Sequence, residues 1–78
     1  KRVTEIEEIA SSHSGVKQAY AINAGREVRV LVNATLINDD ESILMAREIA
    51  EEIEEKVQYP GEIKVNVIRE SRAIEFAK

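Results

Sequence analysis

The side chains that could do chemistry in this chain are one histidine, fifteen carboxylates and eleven lysines or arginines, with no cysteine. His13 lies in a Ser-His-Ser run beside Gly15, and neighbours of this kind mark a turn. We therefore expect His13 to be an exposed loop residue. A Ser-His-acid arrangement stays open, but no spacing in the sequence positions one. The lack of cysteine excludes thiolate nucleophiles, disulfides and thiolate metal sites.

Metal and phosphate sites find equally little support in the spacing of residues. Asp39-Asp40-Glu41 are three oxygen-ligand residues in a row, but no EF-hand spacing follows them. Negative charge at that point is typical of a helix N-terminus. The three glycines, Gly15, Gly25 and Gly61, are too far apart for a phosphate-binding loop and are interpreted as turn residues. The sequence thus predicts no catalytic residue, cofactor site or metal site in this chain.

The first half of the chain predicts a helix followed by a hairpin. A helical stripe of apolar residues covers 3–12, with Thr4 and Glu7 at the spacing of a capping box. Apolar residues then alternate in 16–22 and again in 26–33. Asn23-Ala24-Gly25 between them is a turn signal, so the two segments should form an antiparallel hairpin.

The second half predicts a long helix and a strand. The helix covers about 40–57 and is followed by the Tyr59-Pro60-Gly61 stop signal. Alternation returns at 62–69, and 73–76 could add a short fourth strand. A right-handed crossover makes the third strand parallel to the second. The predicted fold class is α+β: a two-layer α/β sandwich of order α-β-β-α-β-(β), with a small mixed sheet and both helices on one face.

The charge distribution argues against strong nucleic-acid binding. The net charge is −4 and residues 39–58 carry eight acids against Arg47 and Lys56, whereas the strands are mildly basic. A strong nucleic-acid binder usually shows a clear basic patch. No apolar run approaches the roughly 20 residues of a membrane-spanning helix.

The uncovered face of the sheet is the first candidate for function. Leu31 and Ile68 are apolar where alternation predicts polar residues, and small Ala19 and Ala21 would let another surface come close. These four residues form a candidate interface; scattered surface hydrophobes are the equally weighted alternative. A rival hypothesis, from a different class of function, uses three cations on the same face as a minor RNA contact: Lys17, Arg29 and Lys64.

Two smaller groups have structural explanations that we favour. Leu36, Ile37 and Leu44 lie near the start of the long helix and would close the edge of the core. Arg69 and Arg72 flank the break after the third strand. They could hold phosphate, but a solvated network with nearby glutamates is the favoured interpretation.

Several stretches resemble the C-terminal end of the bacterial ribonuclease Y family. The resemblance runs from Ile6-Glu7-Glu8-Ile9-Ala10 to Ala77-Lys78 and is most specific in residues 59–78, YPGEIKVNVIRESRAIEFAK. The other stretches that carry it are Tyr20-Ala21-Ile22, Ala24-Gly25-Arg26-Glu27-Val28-Arg29-Val30 and Ala46-Arg47-Glu48-Ile49-Ala50.

The resemblance implies a piece of a larger enzyme. Family members are membrane-anchored endoribonucleases that start mRNA decay, with a coiled coil, a KH RNA-binding domain, a metal-dependent HD domain and a C-terminal domain. Residues 1–78 would be that single C-terminal accessory domain. His13 is followed by Ser14, so the HD domain's His-Asp pair has no counterpart, and the GxxG loop of the KH domain is missing too.

The resemblance also sets expectations for cofactors and partners. The divalent metal would belong to the HD domain, leaving no catalytic, metal or cofactor residue here. The expected partners are a second copy of the chain or other RNA-decay proteins, and RNA would be reached through the parent enzyme. The domain would be cytoplasmic, making no membrane contact itself, in a parent anchored at the inner face of the cell membrane.

Overall fold

The computed structural model describes residues 2–59 and 61–78. Its elements follow the predicted α-β-β-α-β order, and the α+β fold class is confirmed. The element bounds are α1 Arg2–Ser11, β1 Val16–Ile22, a 3₁₀ turn Asn23–Gly25, β2 Glu27–Asn33, α2 Asp39–Lys56 and β3 Lys64–Glu70.

The three strands form one mixed sheet in the order β1-β2-β3. Strands β1 and β2 are antiparallel, with Ala21 opposite Val28. Strands β2 and β3 are parallel, with Val30 opposite Val67. The predicted parallel placement of the third strand beside the second is therefore confirmed.

Both helices pack on the same face of this sheet. Buried Ile6 of α1 and Ile49 of α2 belong to the same apolar cluster as Val30 of β2. This arrangement follows from the sequence, because the helical stripes of both helices and alternate residues of β2 are apolar. The buried residues are Ile6, Ala10, Val28, Val30, Val32, Met45, Ile49, Ile53 and Val57.

Helix α2 begins with a capping box one residue earlier than predicted. The side chain of Asn38 accepts a hydrogen bond from the Glu41 N–H, and the Glu41 carboxylate accepts one from the Asn38 N–H, both at 2.8 Å. Asp39 and Asp40 occupy the first turn, where their charge suits the helix dipole. The helix ends at Lys56, and the predicted stop at Pro60 lies outside the described residues.

The predicted fourth strand is wrong within the described residues, since 71–78 form neither helix nor strand. Ile74 is 64% exposed and Phe76 is 81% exposed, so neither side chain belongs to the core. Neither Gly nor Pro follows Glu70, and Ser71 alone does not turn residues 71–78 back into the sheet.

An irregularity in β1 overturns the predicted placement of Ala19 and Ala21 on the uncovered face. The register shifts between Val16 and Gln18, as at a β-bulge. An extra residue moves every later side chain of a strand to the opposite face. Ala19 therefore packs against the core, and Ala21 lies beside buried Val28. Tyr20 lies on the other face, opposite Arg29 of β2.

Candidate interaction surface of the sheet

One face of the sheet is left uncovered by the helices, and we call it the open face. Val65 and Val67 of β3 pack against the core, so the residues alternating with them point away from the helices. The predicted members Arg29, Leu31 and Lys64 lie on it. The open face consists of Gln18, Tyr20, Ile22, Glu27, Arg29, Leu31, Lys64, Asn66, Ile68 and Glu70.

The centre of the open face is apolar. Leu31 and Ile68 are direct neighbours across β2 and β3, and both are only half-buried. Gln18 is the β1 neighbour of Leu31 and is exposed. The structure therefore brings together two of the four predicted interface residues, Leu31 and Ile68, and separates Ala19 and Ala21 from them.

A polar cluster around Glu27 borders one end of this apolar centre. Glu27 is 8% exposed although it lies on the open face. Its carboxylate accepts hydrogen bonds from the Asn23 amide at 3.3 Å, the Asn66 amide at 3.4 Å and the Arg29 Nε at 3.5 Å. Burial acts to raise the pKa of Glu27, but Asn66, the charge of Lys64 and Arg29 together lower it below its ordinary value.

Arg29 is engaged on both sides within this cluster. Tyr20 stands opposite it on β1, and Glu27 is two residues away on its own strand. The nearby Tyr20 side chain first, and the hydrogen bond with Glu27 second, raise the pKa of Arg29 above its ordinary value. Sequence reasoning missed Tyr20 because the bulge in β1 was not foreseen. It also missed Glu27, although the alternation that places Arg29 and Leu31 on this face places Glu27 there too.

A second polar cluster, around Glu70, borders the other end. The Lys17 ammonium lies 2.8 Å from one carboxylate oxygen of Glu70, and Arg72 lies 3.2 Å from the other. The hydrogen bonds from Lys17 and then Arg72 lower the pKa of Glu70. Lys17 thus links β1 to Glu70 at the end of β3.

Arg69 holds the connection between β2 and α2, and does not present a free cation. Its guanidinium donates to the carbonyl oxygens of Ile37 at 2.7 Å and Ala34 at 2.9 Å. It also donates to the Asp39 carboxylate at 2.8 Å. The predicted network with glutamates is confirmed for Arg72, which pairs with Glu70, and is wrong for Arg69, whose acidic partner is Asp39.

His13 is tied to α2, and its predicted exposure is wrong. Its side chain is only 19% exposed, and Nε2 lies 2.9 Å from a carboxylate oxygen of Glu52. Lys56 binds the other oxygen of Glu52 at 2.8 Å. Hydrogen bonds from Lys56 and then His13 lower the pKa of Glu52. This arrangement fastens the loop before β1 to the second helix.

The apolar residues near the start of α2 divide between core and surface. Ile37 packs against the core, as predicted. Leu36 is 68% exposed and Leu44 is 51% exposed, so neither closes the core edge. Ile43 is 60% exposed beside them. These residues lie off the buried stripe of α2 and away from the open face.

No group of three His, Asp or Glu side chains among residues 2–59 and 61–78 is arranged to hold a metal ion. One depression, of about 580 Å³, is lined by charges of both signs: Arg26 and Lys64 against Glu54 and Glu62. Neither the open face nor this depression offers the convergent ligands of a metal centre.

Comparison with known proteins finds similar sequences over the whole chain. The chain is 87% identical over all 78 residues to ribonuclease Y of Sulfurimonas denitrificans. It is 73% identical to ribonuclease Y of Campylobacter hominis and 72% identical to that of Campylobacter jejuni subsp. jejuni, again over its full length. The chain matches a fragment of ribonuclease Y.

The match covers only a small part of the ribonuclease Y relatives. The chain spans 15% of the length of each of these three proteins. No protein-family model matches the chain. No solved structure matches it either. Neither described helix combines the length and apolarity needed to cross a membrane.

Proposed function

We propose that this chain is the C-terminal accessory domain of a ribonuclease Y and that its open face mediates self-association of the parent enzyme. In this proposal the parent is a membrane-anchored endoribonuclease that starts mRNA decay, and its chemistry resides in a metal-dependent HD domain. This domain supplies contacts and no catalytic residue. The full-length match to ribonuclease Y supports the assignment to that enzyme.

The observation that carries the contact role is the half-buried pair Leu31 and Ile68 on a face that no helix covers. Covering such a pair removes apolar surface from water, at about 25 cal/mol per Å². The charges that border the pair are already matched within the domain, Glu27 with Arg29 and Glu70 with Lys17. A partner can therefore approach the apolar centre without stranding an unpaired charge.

The same charge matching weighs against RNA as the occupant. Lys17 is paired with Glu70, Arg29 with Glu27, and Lys64 lies close enough to lower the pKa of Glu27. Phosphate would have to compete with these carboxylates for each cation. We expect single-stranded RNA to bind the chain weakly at physiological salt.

Sedimentation velocity on the 78-residue chain, across a concentration series, tests the proposed function. We expect the unsubstituted chain to form a reversible dimer. The Leu31→Glu/Ile68→Glu variant should associate at least tenfold more weakly, because the new carboxylates would be buried at the contact. Ile43→Glu/Leu44→Glu is the matched control, since it makes the same change on exposed residues of α2.

The contrary result is equally clear in this experiment. If both variants associate as tightly as the unsubstituted chain, the open face is not the contact. Titration with labelled single-stranded RNA then separates the rival hypothesis. Salt-sensitive binding that weakens in Arg29→Ala and Lys64→Ala would assign the face to RNA.

A further inference from the structure

We propose that two copies of this chain pair through the outer edge of β3, with residues 71–78 of each copy adding as a strand to β3 of the other. This inference rests on the proposed self-association and places the pairing at the strand edge that borders the open face.

The outer edge of β3 has backbone groups available for pairing. The Lys64 N–H donates to the Arg26 carbonyl, and the Glu70 carbonyl accepts from Ala34, so the even-numbered residues of β3 face β2. The N–H and C=O groups of Val65, Val67 and Arg69 therefore point to the other side. No strand or side chain in the described ranges 2–59 and 61–78 pairs with that side. Such an edge is a template for another strand.

The edge of β1 is protected by two features. The irregularity between Val16 and Gln18 disturbs the run of backbone groups along that strand. The Glu7 carboxylate of α1 accepts a hydrogen bond from the Ala21 N–H at 2.8 Å. Glu7 was predicted as part of a capping box, and the structure assigns its carboxylate to this strand edge instead. Bulges and charged groups placed at an edge discourage strand addition, so β3 is the edge that accepts a strand.

Residues 71–78 have the properties of the strand that would be added. All of them are exposed, and Ile74 and Phe76 alternate with Ala73, Glu75 and Ala77. The radius of gyration is 13.8 Å, whereas a compact chain of this length would have about 11.5 Å. The longest dimension is 52 Å, close to the roughly 50 Å spanned by an extended run over 64–78. The segment therefore stands away from the domain that carries it.

A twofold axis at Ser71 makes β3 and the following segment complementary to themselves. Antiparallel pairing of 64–78 with the same residues of a second copy places Ile74 opposite Ile68 and Arg72 opposite Glu70. Both pairs then fall on the open face, next to Leu31. Each copy gives and receives the same strand, as an isologous interface requires.

Disulfide trapping tests this register directly, because the chain contains no cysteine. Opposed residues of an antiparallel pair have Cα atoms about 4.5–5.5 Å apart, within the range that a disulfide spans. We expect mild oxidation of Ser71→Cys to give a covalent dimer. In Glu75→Cys, the matched control in the same exposed segment, the two cysteines would lie roughly 27 Å apart and stay unlinked.

Sedimentation of Ile74→Glu/Phe76→Glu distinguishes this inference from the broader proposed function. We expect at least tenfold weaker association of that variant, with its circular dichroism unchanged because both residues lie outside the core. If Glu75→Cys links as readily as Ser71→Cys, the register is wrong. Association that survives Ile74→Glu/Phe76→Glu but is lost in Leu31→Glu/Ile68→Glu would overturn the strand exchange and leave the open face as the contact. If the unsubstituted chain stays monomeric at every concentration of the series, both proposals are overturned.

Discussion

At the scale of single residues, the side chain of Arg69 joins three acceptors from the connection between β2 and α2. Its side chain binds Ala34 and Ile37 through their carbonyl oxygens and Asp39 through its carboxylate. A planar guanidinium can hold acceptors in several directions at once, whereas an ammonium acts as a single point. Arg69 therefore fixes the path of the chain between β2 and the start of α2.

Replacing Arg69 by lysine should lower the free energy of unfolding by about 1–3 kcal/mol, because the contacts to two backbone carbonyls cannot all be kept. Urea denaturation followed by circular dichroism measures the change. Arg72→Lys is the control, since Arg72 makes a single exposed contact with Glu70 and should cost less than about 0.5 kcal/mol. Equal effects of the two substitutions would contradict the role of Arg69.

The sequence predicted at this scale only what composition and alternation determine. The alternation of β2 and β3 placed Leu31 and Ile68 correctly, because neither strand carries an irregularity. The partners of His13 and Arg69 could not be predicted. Each lies about thirty or more positions away along the chain, at Glu52 and Asp39, and only the packed fold brings them together.

At the scale of elements, the β1 irregularity had the largest effect on the candidate surface. Strand type and order followed from apolar periodicity and turn residues, which are local properties of the sequence. The position of a bulge depends on how a strand meets its partner, and the sequence of β1 carries no glycine to mark it. Because of one unpaired residue, Tyr20 and Ile22 lie on the open face, where the sequence predicted Ala19 and Ala21.

Gly15, in the turn between α1 and β1, combines a left-handed backbone with a close side-chain neighbour. Gly15 has a φ of +91°, and a Cβ there would lie 2.8 Å from the Ile37 side chain. Gly61 has a φ of +77° with open space around it. Alanine in a left-handed backbone conformation costs about 1–2 kcal/mol of stability at either position. In Gly15→Ala the new Cβ also collides with Ile37, which packs on the core.

We therefore expect Gly15→Ala to destabilise the chain by about 1 kcal/mol more than Gly61→Ala does. Thermal or urea unfolding of the two variants, compared under one set of conditions, gives this difference. If Gly61→Ala lowers the free energy of unfolding more than Gly15→Ala does, the Ile37 side chain can move away from the new Cβ at no cost in stability.

At the scale of the whole molecule, three glutamates link folding to pH. Glu27, Glu52 and Glu70 sit on three different elements, and each has its pKa lowered below its ordinary value of 4.5. A carboxylate with a lower pKa in the folded state stabilises the fold above its ordinary pKa. That contribution is lost as the pH falls from about 4.5 through the folded-state value.

The melting temperature of the chain should therefore be nearly constant from pH 7 to about 5 and fall steeply below about 4.5. Glu27→Gln should reduce the steepness of this fall and lower the melting temperature at pH 7, because a neutral amide loses the attraction of Arg29 and Lys64. Glu62→Gln is the control, since within the described residues Glu62 makes no hydrogen bond or ion pair. Identical pH profiles of the two variants would contradict the role of Glu27.

The contrast between the two strand edges has a consequence for how large an assembly can grow. Filaments and amyloid-like ladders need two open edges on every chain, so that each added molecule offers a new place for the next. On the edge of β1, the Ala21 N–H already donates to the Glu7 carboxylate. Pairing through β3 about a twofold axis would occupy the other edge of the sheet in both molecules. Growth by this route would stop at two chains. The domain could then reach high local concentration without polymerising.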